Sequence, residues 1–205
     1  MKTTIMTMTV GAALLSLTSC KNPADETTDA KVGEVAPEAT SAGGTTYVFT
    51  DASTIEFTGS KVTGSHDGGF KTFAGSFTVE DDEPIAGTVT IDMNSTYSDS
   101  DKLTEHLKSD DFFDVATYPE TTFKVTSFEK KSDTTYDVSG NFTLHGVTKN
   151  ITFPAVAEVS DETISVKADF DINRKDFEIA YAGKPDDLIR DEVVIRLNLE
   201  AEPES

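Results

Sequence analysis

Ile85-Ala86-Gly87-Thr88-Val89-Thr90-Ile91-Asp92-Met93 alternates apolar and polar residues with a period of two, and a glycine interrupts its apolar phase. Side chains alternate sides along a strand, so such a stretch buries one face and wets the other. The pattern recurs in Tyr136, Val138, Gly140, Phe142 and Leu144, and again in Ile164, Val166, Ala168, Phe170 and Ile172. It recurs in Ile55, Phe57 and Gly59, in Phe73, Gly75, Phe77 and Val79, and in Ile151, Phe153, Ala155 and Ala157. Val193, Ile195, Leu197 and Leu199 close the series. With almost no helix to cover a sheet, these strands must fold onto one another. The fold class expected is all-β, an antiparallel barrel of about eight strands.

Strands are predicted near 46–50, 53–62, 69–80, 84–94, 121–131, 134–145, 149–160, 163–174 and 191–201. His66-Asp67-Gly68-Gly69, Asp81-Asp82-Glu83-Pro84, Lys131-Ser132-Asp133 and Ser160-Asp161-Glu162 read as turns between them. One segment breaks the pattern. Ser98 or Ser100 can cap a short helix over 101–108, with Leu103 and Leu107 one turn apart on a single face. Phe112, Phe113, Val115 and Tyr118 follow, and this unit is expected to close or flank one end of the barrel.

Gly59, Gly75, Gly87, Gly140 and Ala168 occupy the apolar phase where a filled core would carry large side chains. Strand glycines also relieve bending, and both roles can coexist. Taken as spacers, they predict an apolar cavity. Its expected lining is Phe57, Phe73, Phe77, Val89, Ile91, Val138, Phe142, Leu144, Phe153, Ala168, Phe170 and Ile195.

The N-terminus carries different information. Lys2 precedes an apolar or small stretch from Ile5 to Leu17, too short to span a bilayer as a stable helix. It ends in Leu17-Thr18-Ser19-Cys20, which resembles a bacterial lipobox, and Cys20 is the single cysteine of the chain. Residues 1–19 are therefore expected to be a lipoprotein signal peptide, with Cys20 acylated and the product exported. The periplasmic side of the outer membrane, or its surface, is the expected location. Residues 20–46 carry the lipidated cysteine and, lacking aromatics before Tyr47, read as a flexible tether of roughly 25–30 Å. Residues 47–202 form the barrel domain. The formal charge is −20, which repels nucleic acid and anionic headgroups, so no nucleic-acid role is expected.

Machinery for catalysis is sparse. His66, His106 and His145 lie in separate regions with no spaced pair, so no zinc site is expected. Asp99-Ser100-Asp101 and Asp81-Asp82-Glu83 lack the glycine-bearing loop of a calcium site. No G-x-S-x-G elbow or phosphate loop is present. No cofactor, metal or catalytic residue is assigned. His145, ending a strand, is either a rim residue that meets a headgroup or a turn histidine bonded within its hairpin.

Six blocks, in order, resemble the YceI-like family. They are 51–57, 69–75, 107–119 with Thr122-Phe123, 140–149, 173–177 and 191–195. Leu107-Lys108-Ser109-Asp110-Asp111-Phe112-Phe113 and Gly140-Asn141-Phe142-Thr143-Leu144-His145-Gly146 are the most distinctive parts. The chain departs from the pattern with Tyr47 where tryptophan is frequent and Glu178 where glycine is usual. The resemblance implies a lipocalin-like barrel whose elongated pocket takes a polyisoprenoid, an isoprenoid quinone or a fatty chain. His145 and Arg174 are then candidate headgroup contacts, and the partners are a hydrophobic lipid and the membrane through Cys20, with a homodimer left open. Two other readings stand beside this carrier: an interaction module on a filled barrel, and a lipid-modifying enzyme acting at the rim.

Overall fold

A computed structural model describes residues 21–40 and 43–204. The predicted period-two stretches form strands that pair antiparallel in chain order. Two short strands come first, β1 (Thr28–Asp29) and β2 (Lys31–Gly33). They precede β3 (Thr45–Phe49), β4 (Thr54–Lys61), β5 (Gly64–Phe70) and β6 (Phe73–Glu80). Next come β7 (Glu83–Asp92), β8 (Thr96–Ser98) and the helix α1 (Asp101–Lys108). The chain continues through β9 (Glu120–Lys130), β10 (Thr135–Leu144), β11 (Val147–Val159) and β12 (Ile164–Asn173). It ends with β13 (Gly183–Lys184) and β14 (Asp187–Pro203).

Three staves of the barrel are broken strands: β3 with β4, β5 with β6, and β7 with β8. Together with β9, β10, β11, β12 and β14 they make a closed eight-stranded barrel. Closure is made by β14, which pairs with β12 on one side and with β3 and β4 on the other. The stretch 66–69 is strand, not the predicted turn, and the reversal lies at Val62-Thr63 instead. Gly68 and Gly69 read as turn residues, but they serve β5 by making room for neighbouring rings. A Cβ on Gly68 would come within 2.5 Å of Phe57, and one on Gly69 within 2.8 Å of the Tyr97 hydroxyl.

Two local features modify the alternation. Between Pro84 and Ala86 a bulge leaves Ile85 without a partner on β6, so Ile85 drops off the apolar phase and Ala86 is buried in its place. At Glu178, φ is 60°, a left-handed conformation that suits the glycine usual in the YceI-like pattern better than glutamate. The helix is capped as expected: the Leu103 N–H donates to Ser100 Oγ at 3.4 Å. Its buried Leu107 faces the barrel.

The expectation of a free tether is overturned for residues 21–40. They form a belt around the outside of the barrel. Strands β11 and β12 pair with each other only at Val156–Val159, and beyond that they splay. β1 and β2 enter the gap, β1 parallel to β12 and β2 antiparallel to β11. Further on, Asn141 holds Ala36 by two bonds, donating to its carbonyl at 2.6 Å and accepting from its N–H at 3.0 Å. The Ala39 N–H then donates to Val125 O at 2.9 Å. The segment lacks large apolar residues to bury, but a splayed seam offers unpaired backbone donors and acceptors, and satisfying these suffices to order it. The predicted signal peptide and Cys20 lie outside the described residues.

Candidate functional site

The barrel has one filled end and one hollow end. At the end carrying the turns 81–82, 131–134 and 160–163, the buried side chains Tyr47, Phe77, Val79, Tyr136, Ile164 and Val166 pack into a solid core. The Tyr47 hydroxyl seals that end by donating to Ser160 O at 3.0 Å. Toward the opposite end lies a cavity of about 310 Å³, at the lower edge of the ~300–1,000 Å³ usual for small-molecule sites. Phe153 and Phe170, stacked with ring centroids 4.0 Å apart, form its floor. Leu103 and Leu107 of α1, with Phe112 and Phe113 behind them, form its roof. Among the lining residues, Lys61 and His66 reach solvent, with side chains 36% and 42% exposed, and mark the mouth beside Ile189.

Of the predicted lining residues, Phe57, Val89, Ile91, Phe142, Leu144, Phe153, Phe170 and Ile195 face this cavity. Phe77, Val138 and Ala168 do not. They are inward-facing but sit on the far side of the Phe153–Phe170 floor, in the filled core. Phe73 does not line it either. It borders a separate lateral groove, with Phe49, Thr50 and Lys71, where the β3–β4 and β5–β6 breaks lie side by side.

The spacer role assigned to the glycines also needs correction. A Cβ on Gly140 would overlap the Phe123 ring, and one on Gly75 the Phe49 ring. A Cβ on Gly87 would come within 2.9 Å of Phe77. In each case an aromatic ring already fills the space that the missing side chain leaves. Gly59 is the exception: it lines the cavity, and a Cβ there would have nothing within 4 Å.

Polar groups at the site are few and specific. Arg174 is buried and lines the cavity, yet its donors are committed to the backbone. Nε donates to Arg190 O at 3.0 Å, Nη1 to Ile179 O at 2.6 Å, and Nη2 to Ile189 O at 3.5 Å. The Ile189 and Arg190 carbonyls belong to the bulge where Ile189 to Val193 of β14 runs past Gly59 to Lys61 of β4, and the Ile179 carbonyl to the connection that follows Arg174. Burial lowers the Arg174 pKa, and the nearby Asp191 carboxylate opposes the shift. A guanidinium remains charged regardless. His145 sits at the rim in a hairpin turn with φ 51°, packed on Tyr118 with ring centroids 4.8 Å apart. It does not line the cavity, and its buried Nδ1 has no hydrogen-bond partner among the described residues.

Thr121 is a buried polar residue that sequence reasoning missed, as it missed Ser60, Lys61 and His66. Thr121 lines the cavity, is 2% exposed, and its hydroxyl has no hydrogen-bond partner among the described residues. A buried hydroxyl without a partner costs about 1–3 kcal/mol, which a bound ligand oxygen would recover. The two-residue alternation Thr121, Phe123, Val125 was its available signal. The roof residues and Ile179 were also missed as lining, because they come from connections rather than from alternating strands, and Ile189 was missed because β14 begins before the predicted strand 191–201.

Comparison with known proteins follows the same architecture. A UPF0312 protein of Pseudomonas putida strain W619 is 37% identical over 124 residues, covering 57% of this chain and 65% of the relative. Protein YceI of Escherichia coli O157:H7 is 38% identical over 120 residues, covering 55% of this chain and 62% of the relative. The matches thus span less than two thirds of these relatives' length. Among solved structures, a polyisoprenoid binding domain from Saccharophagus degradans implicated in plant cell wall breakdown shares the fold at TM-score 0.65 and 21% identity. The alignment covers 79% of this chain and 100% of that one. A YceI protein of Campylobacter jejuni aligns at TM-score 0.58 and 26% identity, over 67% of this chain and 85% of that one. Residues 47–201, the barrel almost from its first stave to its last, match the YceI-like domain, and the chain belongs to that family.

Proposed function

We propose that this protein binds a single long apolar chain, a polyisoprenoid, isoprenoid quinone or comparable lipid, within the hollow end of its barrel. We further propose that it does so as an exported lipoprotein acylated at Cys20, carrying or storing that lipid beside the outer membrane. The observation that carries the binding reading is the cavity, apolar from its stacked floor to its roof and open to solvent beside Lys61 and His66. The family's relation to a polyisoprenoid binding domain supports the ligand class.

Burial is the mechanism. Each methylene withdrawn from water contributes about 0.8 kcal/mol, so ~15 carbons contribute ~12 kcal/mol gross. Association and ordering oppose this by an estimated ~4–15 kcal/mol, so a short chain would bind poorly. The orphan Thr121 hydroxyl favours a ligand with an oxygen within the cavity over a pure hydrocarbon. The arrangement of polar groups supports binding over turnover. His66 pairs with Asp99 at 2.9 Å and His106 with Asp111 at 2.8 Å, on different elements, while His145 lies away from the cavity. Arg174 commits its donors to the backbone of Ile179, Ile189 and Arg190, which supports a role in holding the mouth rather than in gripping a headgroup.

Native mass spectrometry of protein purified without detergent tests the binding reading. Protein carrying a lipid-sized adduct, released on unfolding, is expected. A bare polypeptide mass that stays bare after incubation with isoprenoid-loaded vesicles would leave the barrel as a scaffold for surface interactions.

A further inference from the structure

The described chain begins at the belt, and its first clasp, at Asn22, lies beside the cavity mouth. Asn22 is clasped to the outer wall by its amide, which donates to Glu192 at 3.4 Å, and by its oxygen, which accepts from Ser60 Oγ at 3.4 Å. Ala24 is buried just after it, and the Thr27 hydroxyl donates to Asp171 at 2.7 Å. Cys20 precedes Asn22 by two residues, so at most about 7 Å of extended chain separates the clasp from the cysteine.

From Ser60 the strand continues to Lys61, a mouth residue, and then to Val62, about 7 Å further on. Val62 and Leu188 are 51% and 49% exposed. They are adjacent, because the Val62 N–H donates to Leu188 O at 3.2 Å. Together they make an apolar lip on the mouth. The turns of the filled end, Asp81-Asp82, Lys131-Ser132-Asp133 and Ser160-Asp161-Glu162, are polar throughout.

We infer that the belt docks this protein on the lipid bilayer with the mouth of the barrel facing the membrane and Val62 and Leu188 entering the headgroup boundary. The inference rests on the acylation of Cys20 proposed above. A tether of the length first expected from the sequence would let the barrel rotate freely and present every face. The belt shortens the free chain to about two residues, so the acyl anchor enters the membrane next to the lip. One anchor and an adjoining apolar contact then act at high effective concentration on the same patch of bilayer. A chain leaving the cavity passes into lipid without crossing water.

The chain contains no tryptophan, so single reporters can be introduced. Val62→Trp, Leu188→Trp and, at the filled end, Asp133→Trp are expressed as full-length protein in a Gram-negative host. The mass of the mature N-terminus is measured first. Each variant is then reconstituted in phosphatidylcholine vesicles with or without brominated acyl chains. Val62 and Leu188 are exposed, so neither substitution disturbs the core. Quenching several-fold stronger for Val62→Trp and Leu188→Trp than for Asp133→Trp is expected. Inserting a twenty-residue Gly-Ser linker between Cys20 and Lys21 should reduce that difference. Acylated protein with equal quenching at both ends, or with none at either, overturns the docking and leaves the anchor standing. An unmodified Cys20 overturns both.

Discussion

At the scale of single residues, the cavity is governed by which glycines face empty space and which face a ring. Gly59 and Gly140 make the cleanest contrast, since both lie on the inward phase of barrel strands. Gly59→Leu places a side chain into open cavity with nothing within 4 Å of its Cβ. It should fold with a melting temperature close to the parent and take up far less lipid. Gly140→Leu must displace the Phe123 ring, which packs in turn on Phe142 and Phe153. Overpacking of that kind costs about 1–3 kcal/mol or more, and a marked fall in melting temperature is expected. Thermal melts and lipid uptake measured on the same two variants check this; equal destabilisation of both would mean that the space at Gly59 is not available to a ligand. The difference was not legible in the sequence. A strand announces which face a glycine is on, but the ring that covers it comes from a neighbouring strand at a register fixed only by folding. Ala168 shows the same limit: its phase was readable, but the depth of the Phe153–Phe170 floor was not.

Among the elements, the alternation made the strands legible and left the belt hidden. Period-two burial is written in the side chains of β7, β10 and β12, whereas residues 28–33 join the sheet through backbone groups and carry almost no apolar signature. One titrating group sits beneath them. Asp171 is an outward-facing aspartate of β12, 3% exposed. Burial raises its pKa most; the Thr27 hydroxyl bond opposes the shift, and the charges of Asp29 on β1 and Glu192 on β14 add to it. A carboxylate whose folded pKa is raised binds its proton more tightly in the fold than in the released segment. The belt is therefore held most firmly below the ordinary aspartate range, about pH 4, and loosens as pH climbs through the raised value. Asp171→Asn removes the ionisation while keeping an acceptor for Thr27. Hydrogen exchange of residues 27–33, compared at matched pH, should be slower in Asp171→Asn than in the parent at pH 7. The two should converge toward pH 4. A difference independent of pH would assign the effect to packing instead of charge.

For the whole molecule, the decisive asymmetry is a barrel filled at one end and hollow at the other. A chain cannot thread through, because the stacked floor and the Tyr47 seal close the path. It enters tail first or leaves by the mouth under α1 and beside Ile189. Affinity should then depend on chain length in two regimes. While carbons still enter the cavity, each methylene adds about 0.8 kcal/mol, roughly a fourfold gain in affinity measured from water. Once the floor is reached, further carbons protrude and add little, so the curve levels off. Measured from a bilayer, the rising part should be nearly flat at every length, because the membrane interior is as apolar as the cavity. Such a balance suits exchange with the membrane better than permanent sequestration. Isothermal titration of prenyl and alkyl alcohols of increasing length into delipidated protein supplies the aqueous curve, and partitioning between protein and vesicles supplies the other. A steep rise followed by a plateau in water, with a flat line against vesicles, is the expected pair. Affinity that ignores length from the shortest alcohol onward would place binding at the rim. Affinity that keeps climbing without a plateau would mean that the floor opens.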